Sequence, residues 1–260
     1  MTLQGKVAIV TGSSRGIGRA VALAFAARGA KVLVNSSTDV AGGQDVMAAI
    51  VSAGGTAHYV QADVTDPHQV EGMFDEAETE LGPVDILVNN AGSFTQDASL
   101  AENTKERWLH VLNINLLSTV ACSMCAARTM ADRAGSIINT SSAASGGTVA
   151  WHLTRGFDAK SQEGAMAYSA AKAAVENFTR ALAKQLAPTV RVNAVAPGFV
   201  ATSYTDRMDE DLKQSWLSHI PLHRTIEPAE IACCYIHLAE STYLTGTILT
   251  ADAGLMLGEG

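Results

Sequence analysis

The chain has 260 residues, 47% hydrophobic and 17% charged, with a formal net charge of −8. That supplies ample apolar material for a core and excludes a disordered or low-complexity chain. No basic block stands out, so no nucleic-acid partner is expected. No window approaches the ~20 apolar residues of a membrane span, and MTLQGKVAIV reads as a first strand, not a signal peptide. A cytoplasmic protein without a membrane partner is the expectation.

Taken in chain order, a strand over Lys6–Val10 runs into Thr11-Gly12-Ser13-Ser14-Arg15-Gly16-Ile17-Gly18, and a helix follows over Arg15–Arg28. Glycines there let the backbone approach a pyrophosphate, and the new helix offers free N–H groups and its positive dipole end. The second strand, Lys31–Asn35, leads into Ser36-Ser37-Thr38-Asp39 and a helix over Gln44–Ala53. A third strand, Thr56–Ala62, is followed by Asp63-Val64 and a helix over Pro67–Leu81. After the fourth strand, Val84–Val88, come Asn89-Asn90-Ala91-Gly92 and a long helix over Glu102–Ala131. That helix carries Asn113, Asn115 and the pair Cys122 and Cys125, whose spacing fits buried helix packing better than a metal site.

The fifth strand, Ser136–Thr140, is followed by Ser141-Ser142 and a Gly-bounded segment, Gly147–Gly164. Next is a helix over Met166–Leu186 bearing Tyr168 and Lys172, four residues apart and therefore on one face. A sixth strand, Val190–Val195, leads into Pro197-Gly198-Phe199-Val200-Ala201-Thr202 and a loop, Ser203–Arg224, expected with the Gly147–Gly164 segment to build the substrate pocket. A helix over Glu227–Glu240 and a strand over Thr247–Thr250 complete the pattern. Short apolar strands alternating with Ala-rich helices predict one doubly wound parallel α/β sheet of about seven strands, with helices on both faces and ligands at the strands' C-terminal edge. No repeat or linker breaks the chain, so residues 1–260 are expected to form a single domain.

The spacing G-x-x-x-G-x-G in the first loop resembles the short-chain dehydrogenase/reductase family. So do Asp63-Val64, the Asn-Asn-Ala-Gly run, Asn115, Ser142, Tyr168-x-x-x-Lys172 and Pro197–Thr202. The likeness is to its 3-oxoacyl-[acyl-carrier-protein] reductase-like members. It implies a Rossmann-type fold and hydride transfer between a nicotinamide cofactor and a ketone or secondary alcohol. It implies that Tyr168 is the acid/base, that Ser142 steadies the substrate oxygen, and that Lys172 lowers the tyrosine's pKa and holds the nicotinamide ribose. Asn115 would hold a water in a proton relay. Ser141 competes with Ser142, and Asn113 with Asn115. Thr202 and the backbone of Val200 would hold the carboxamide, Asp63 would face the adenine, and Gly12, Ser14, Arg15, Gly16, Ile17, Gly18, Val64, Asn90, Ala91, Gly92, Pro197 and Gly198 would complete the cofactor site.

At the end of the second strand a carboxylate would select NAD(H) by repelling a 2′-phosphate. Ser36 stands there instead, Ser37 and Thr38 add hydroxyls, and Arg15 lies in the phosphate loop, which favours NADP(H) over NAD(H). Asp39 is expected in the next helix's first turn. Ser142 and Tyr168 are separated by 26 positions, more than is usual in the family. The extra segment, Gly147–Gly164, holds Trp151, His152, Arg155, Phe157, Asp158 and Lys160. It is expected to be a mobile loop, either a lid over substrate or a subunit contact. Asp252-Ala253-Gly254 departs from the family, where a second glycine is more usual. A cofactor-binding regulator without turnover is the rival reading; loss of Tyr, Lys or Ser would mark it, and this chain keeps all three. The long helices, apolar on more than one side, predict a homodimer or homotetramer.

Overall fold

A computed structural model of the chain describes residues 3–94, 104–146, 159–203 and 205–257. Seven strands form one parallel sheet in the order β3-β2-β1-β4-β5-β6-β7. They are β1 (Val7–Val10), β2 (Lys31–Ser36), β3 (Thr56–Gln61), β4 (Val84–Asn89), β5 (Gly135–Thr140), β6 (Val190–Pro197) and β7 (Ile248–Ala251). The helices are α1 (Gly16–Ala27), α2 (Val40–Ser52), α3 (Pro67–Glu80), α4 (Lys105–Leu112), α5 (Ser118–Thr129), α6 (Ala159–Leu186), α7 (Glu210–Ser218) and α8 (Pro228–Glu240).

The strands read as unbroken apolar runs because both sheet faces are covered. Ala8 and Val10 point into a core closed by Phe25 of α1, Ile50 of α2 and Tyr235 of α8. Val7 and Ile9 point into the opposite core, closed by Phe74 of α3, Cys122, Cys125 and Ala126 of α5, and Leu182 of α6. Both cysteines of the C-x-x-C pair are thus packing residues, and burial pushes the Cys122 thiol up to about 12. The strand order reverses between β1 and β4, which opens a crevice at their C-terminal ends.

Three stretches differ from expectation. The first is α2, which starts at Val40 rather than Gln44. Asp39 is its N-cap, not a first-turn residue, and accepts from the Gly42 N–H at 3.2 Å. Gly43 is tolerated inside the helix because any Cβ there would meet the Tyr59 ring. The second is α6, which begins at Ala159, so residues 159–164 belong to a helix and not to the expected loop. Ala159-Lys160-Ser161-Gln162-Glu163 are adequate helix formers, and Gly164 costs only about 1 kcal/mol inside a helix. Residues 147–158, with Trp151, His152, Arg155, Phe157 and Asp158, lie outside the described residues, as does the side chain of Lys160. The third is α7, which occupies part of the stretch expected to be a substrate loop; Asp209 Oδ1 accepts from the Asp211 N–H at 3.1 Å at its start.

The run Lys105–Thr129 is long and apolar enough by length and composition to cross a membrane, contrary to expectation. Packing accounts for part of that apolar character: Val111, Cys122, Cys125 and Ala126 are buried and charged residues open the run, while Leu109, Leu117 and Met124 stay exposed.

Candidate active site

Gly12 (φ +60°) and Gly16 (φ +55°) hold the β1–α1 loop in the left-handed region that favours glycine. A Cβ on Gly12 would stand 2.8 Å from the Ala91 backbone, and one on Gly18 would collide with the Gly12 carbonyl and Asn90. The loop is pinned from three sides. Asn35 accepts from the Gly12 N–H at 3.2 Å through Oδ1, and its Nδ2 donates to Val60 and Ala62 carbonyls. The Ser13 hydroxyl donates to the Val10 carbonyl at 2.7 Å. Asn90 Nδ2 donates to the carbonyls of Thr11 and Gly12, while Thr11 Oγ1 accepts from the Asn90 and Ala91 N–H groups. Loop backbone is thereby fixed while the first turn of α1, capped by no side chain, keeps its N–H groups for an anion. Arg15, at the N-cap, is exposed; Ser14 is buried and Ile17 partly so.

At the end of β2 the structure corrects one expectation. Ser36 is buried, and its hydroxyl bonds the Asp39 carbonyl at 2.8 Å and the Tyr59 hydroxyl at 2.9 Å. It points inward with its neighbours on the pleat and is not a free donor for a phosphate. Ser37 and Thr38 are exposed. After β3, Asp63 is exposed and accepts from the N–H and hydroxyl of Thr65, while Val64 is buried.

Asn115 is fully buried in a π-helical turn, Asn113–Leu117, that separates α4 from α5. Such a turn is often found at functional sites. Asn113 is only partly buried, so Asn115 is the inward residue. Asn115 Oδ1 accepts from the Ser93 N–H, and Nδ2 donates to the Ser93 and Val111 carbonyls, each at 3.0 Å. Gly92 lies between Asn115 and Lys172: a Cβ on it would be 2.8 Å from Asn115 Oδ1 and 3.6 Å from Lys172 Nζ.

Lys172 is buried and donates to the Thr140 carbonyl at 2.8 Å. Loss of water lowers its pKa to about 8, so it still carries its proton at neutral pH. Its Nζ stands over the Tyr168 ring, 5.6 Å from its centre. Burial raises the Tyr168 pKa, and a hydrogen bond with Ser142 acts the other way. The expected lowering of that pKa by Lys172 is therefore not what this arrangement shows; desolvation dominates. Between the two candidate serines, Ser141 is turned away, bonding the Lys172 carbonyl at 3.3 Å and Glu176 at 2.9 Å. Ser142 is the one that meets Tyr168.

Ser142 and Tyr168 open on a cleft of about 320 Å³. Ile17, Gly92, Thr140, Pro197, Gly198, Val200 and Thr202 line one side, continuous with the phosphate loop. A Cβ on Gly16 would be 3.5 Å from Thr202 Cγ2, which shows how closely that side meets the loop. The Thr202 N–H and carbonyl are both bonded by the Thr205 hydroxyl at 2.8 Å. Phe94, Ala143, Ala144, Phe199, Trp216 and Leu255 line the other side. The Phe94 ring meets Tyr168 edge-on at 5.0 Å, and Trp216 lies against Phe199 at 5.0 Å. Phe94 and Leu255 escaped the sequence reading because they sit in a connection and a short helix that no motif marks, while Trp216 lies in the expected substrate loop without having been singled out. Asn35, the loop clamp, escaped it as well.

The family model described as enoyl-(acyl carrier protein) reductase matches residues 12–256. A 3-oxoacyl-[acyl-carrier-protein] reductase of Synechocystis is 37% identical over 98% of this chain and 98% of its own length. The protein of that name from Escherichia coli K12 is 36% identical over 99% of this chain and all of its own. A dehydrogenase/reductase of Sinorhizobium meliloti superposes with a TM-score of 0.86 at 32% identity, covering 98% of this chain and 96% of that one.

Proposed function

The chain belongs to the short-chain dehydrogenase/reductase family of oxidoreductases, and from that premise we propose that it reduces a neutral ketone with NADPH, Tyr168 acting as the proton donor. The observation that carries this reading is that Ser142 and Tyr168 line one cleft together with Ile17, which follows the phosphate loop, and with Gly198, Val200 and Thr202.

The residues present fit the cofactor. Gly12 and Gly18 let the loop pack against Ala91 and Asn90 where a Cβ would collide, and the first N–H groups of α1, capped by no side chain, would be open to a pyrophosphate. Ser37 and Thr38 are exposed at an end of β2 that has no carboxylate at position 36, and Arg15 is exposed in the phosphate loop, which favours a 2′-phosphate. When bound, NADPH supplies the hydride. Asp63 would face the adenine side, and Pro197, Gly198, Val200 and Thr202 the nicotinamide side.

The remaining chemistry belongs to the chain. Burial keeps the Tyr168 phenol protonated at neutral pH, as a proton donor to a developing alkoxide requires. Ser142 donates to the same oxygen as charge builds, where a fixed donor contributes most. Lys172, still charged at neutral pH, places a positive group over the Tyr168 ring and would hold the nicotinamide ribose hydroxyls when the cofactor is bound. Asn115 holds the Ser93 backbone and the π turn open next to Lys172.

Phe94, Phe199, Trp216 and Leu255, with no charged side chain among the described lining residues, favour a ketone flanked by apolar groups. A short 3-oxoacyl thioester, the substrate type that the relatives' names carry, falls in this class. The test is NADPH oxidation against paired neutral and carboxylate-bearing ketones and a 3-oxoacyl thioester. Tyr168→Phe should lower kcat at least ~100-fold and leave NADPH affinity within about twofold. Wild-type turnover by that variant would overturn the reading.

A further inference from the structure

Ser142 belongs to a turn between β5 and a short 3-10 segment, Ala143–Gly146, whereas Tyr168 belongs to α6. For the proposed reaction both hydroxyls must meet one substrate oxygen although 26 positions separate them. One side chain ties the serine's turn to the tyrosine's helix on both sides of Ser142. Glu176 Oε1 accepts from the Ser141 hydroxyl at 2.9 Å and from the Ser145 hydroxyl at 2.6 Å. Glu176 is eight residues beyond Tyr168 and four beyond Lys172, so the three share one face of α6. Its side chain is only 17% exposed, and its second oxygen faces Arg180 at 3.6 Å. Ser169 adds a further tie, donating to the Ala144 carbonyl at 2.6 Å.

We propose that Glu176 is a positioning residue for the reaction: its carboxylate clamps Ser141 and Ser145 and thereby holds Ser142 against Tyr168 and the substrate oxygen. The inference rests on the reductase reading above. Two hydroxyls on one carboxylate oxygen are charge-assisted bonds, stronger than neutral ones and more demanding of geometry. A donor aimed at a developing alkoxide acts chiefly in the transition state, so slackening it lowers kcat and spares KM. A carboxylate that merely packs helix against turn would affect stability without that selectivity.

The experiment is a double-mutant cycle with Ser142→Ala in the full-length protein, followed by NADPH oxidation with whichever ketone the panel identifies. Glu176→Ala should lower kcat roughly tenfold, with KM and NADPH affinity within about twofold, and Glu176→Gln, which keeps an acceptor oxygen and secures the fold, should fall between. In the Ser142→Ala background either substitution should cost less than about twofold more, because its route to the reaction is already gone. Equal losses in both backgrounds, or unchanged kcat in Glu176→Ala, would overturn the clamp. A readout independent of turnover is NMR of ring-labelled tyrosine. Glu176→Ala should move the Tyr168 resonance towards its position in Ser142→Ala. If Tyr168 does not move, the clamp is wrong even in an active enzyme. If it moves while no ketone is turned over, the clamp holds the two hydroxyls as described and the reductase reading is what fails.

Discussion

Lys172, a buried charged group in the candidate site, carries a stability cost. Its folded pKa is about 8 against an ordinary 10.5, because burial penalises the ammonium. Between those values the unfolded chain binds more protons than the folded one, so this group's contribution to stability rises with pH there. Below about pH 8 the penalty is present in full. Lys172→Met should therefore gain most over wild type, by on the order of 1–3 kcal/mol of relative stability, near pH 7, and lose that advantage by about pH 10. Thermal melts of the pair across that range check it; a difference in Tm that does not narrow with pH would contradict the assigned shift. Ala253 makes a second case. It sits at φ +56°, where an L-residue pays steric strain that glycine avoids. Its neighbours fix that turn, since Asp252 accepts from the N–H groups of Gly254 and Met256 at 3.0 and 2.8 Å. Ala253→Gly should raise stability by about 0.5–1 kcal/mol, seen as a Tm increase of a few degrees. This strain was legible as a departure from the family's glycine, whereas its sign needed the dihedral angle.

At the scale of elements, seven strands were legible to within about two residues because each is a short apolar run bounded by turn formers. Helix starts were less legible. A Gly-Gly pair hid the beginning of α2, since its cap at Asp39 and the Tyr59 ring that accommodates Gly43 lie elsewhere in the chain. The end of β2 was read correctly for what it lacks, a carboxylate, and incorrectly for what Ser36 does with its hydroxyl. Strand pleat explains this: residue 36 turns towards Tyr59, so under the proposed use of NADPH a 2′-phosphate would have to be met by the exposed Ser37, Thr38 and Arg15. Arg15 supplies the only formal charge among the three, and a charge-assisted bond contributes about 1.5–3 kcal/mol. Arg15→Ala should therefore weaken NADPH binding by roughly 10- to 100-fold and change NADH binding less than about threefold. Titration of nicotinamide fluorescence with each cofactor measures both. Equal loss for the two would place Arg15 on the pyrophosphate and not on the 2′-phosphate.

For the molecule as a whole, the side of α4–α5 away from the sheet carries an apolar set that the described fold leaves uncovered. Leu109 is 53% exposed, Leu117 51% and Met124 40%, with Met166 of α6 at 41%. Single exposed apolar residues need no explanation, but several large ones along adjoining helices do. The same helices bury their other faces: Cys122, Cys125 and Ala126 of α5 lie in the core beneath β4 and β5. A helix run apolar on both sides has one partner in its own chain and lacks the other. A second copy related by a two-fold axis would set the patch against itself and cover both at once, the commonest closed solution for a repeated surface. The active site adds a reason for such an arrangement, since the π turn bearing Asn115 lies in the middle of this run and a packed partner would stiffen it. The prediction is a dimer, or a tetramer built from it, at micromolar concentration by light scattering. Leu109→Glu with Met124→Glu, both outside the candidate site, should shift the mass towards the monomer and lower the Tm, with NADPH still bound. A wild-type protein that scatters as a monomer would leave the patch without this explanation, and a charged variant that stays dimeric would move the interface to another face.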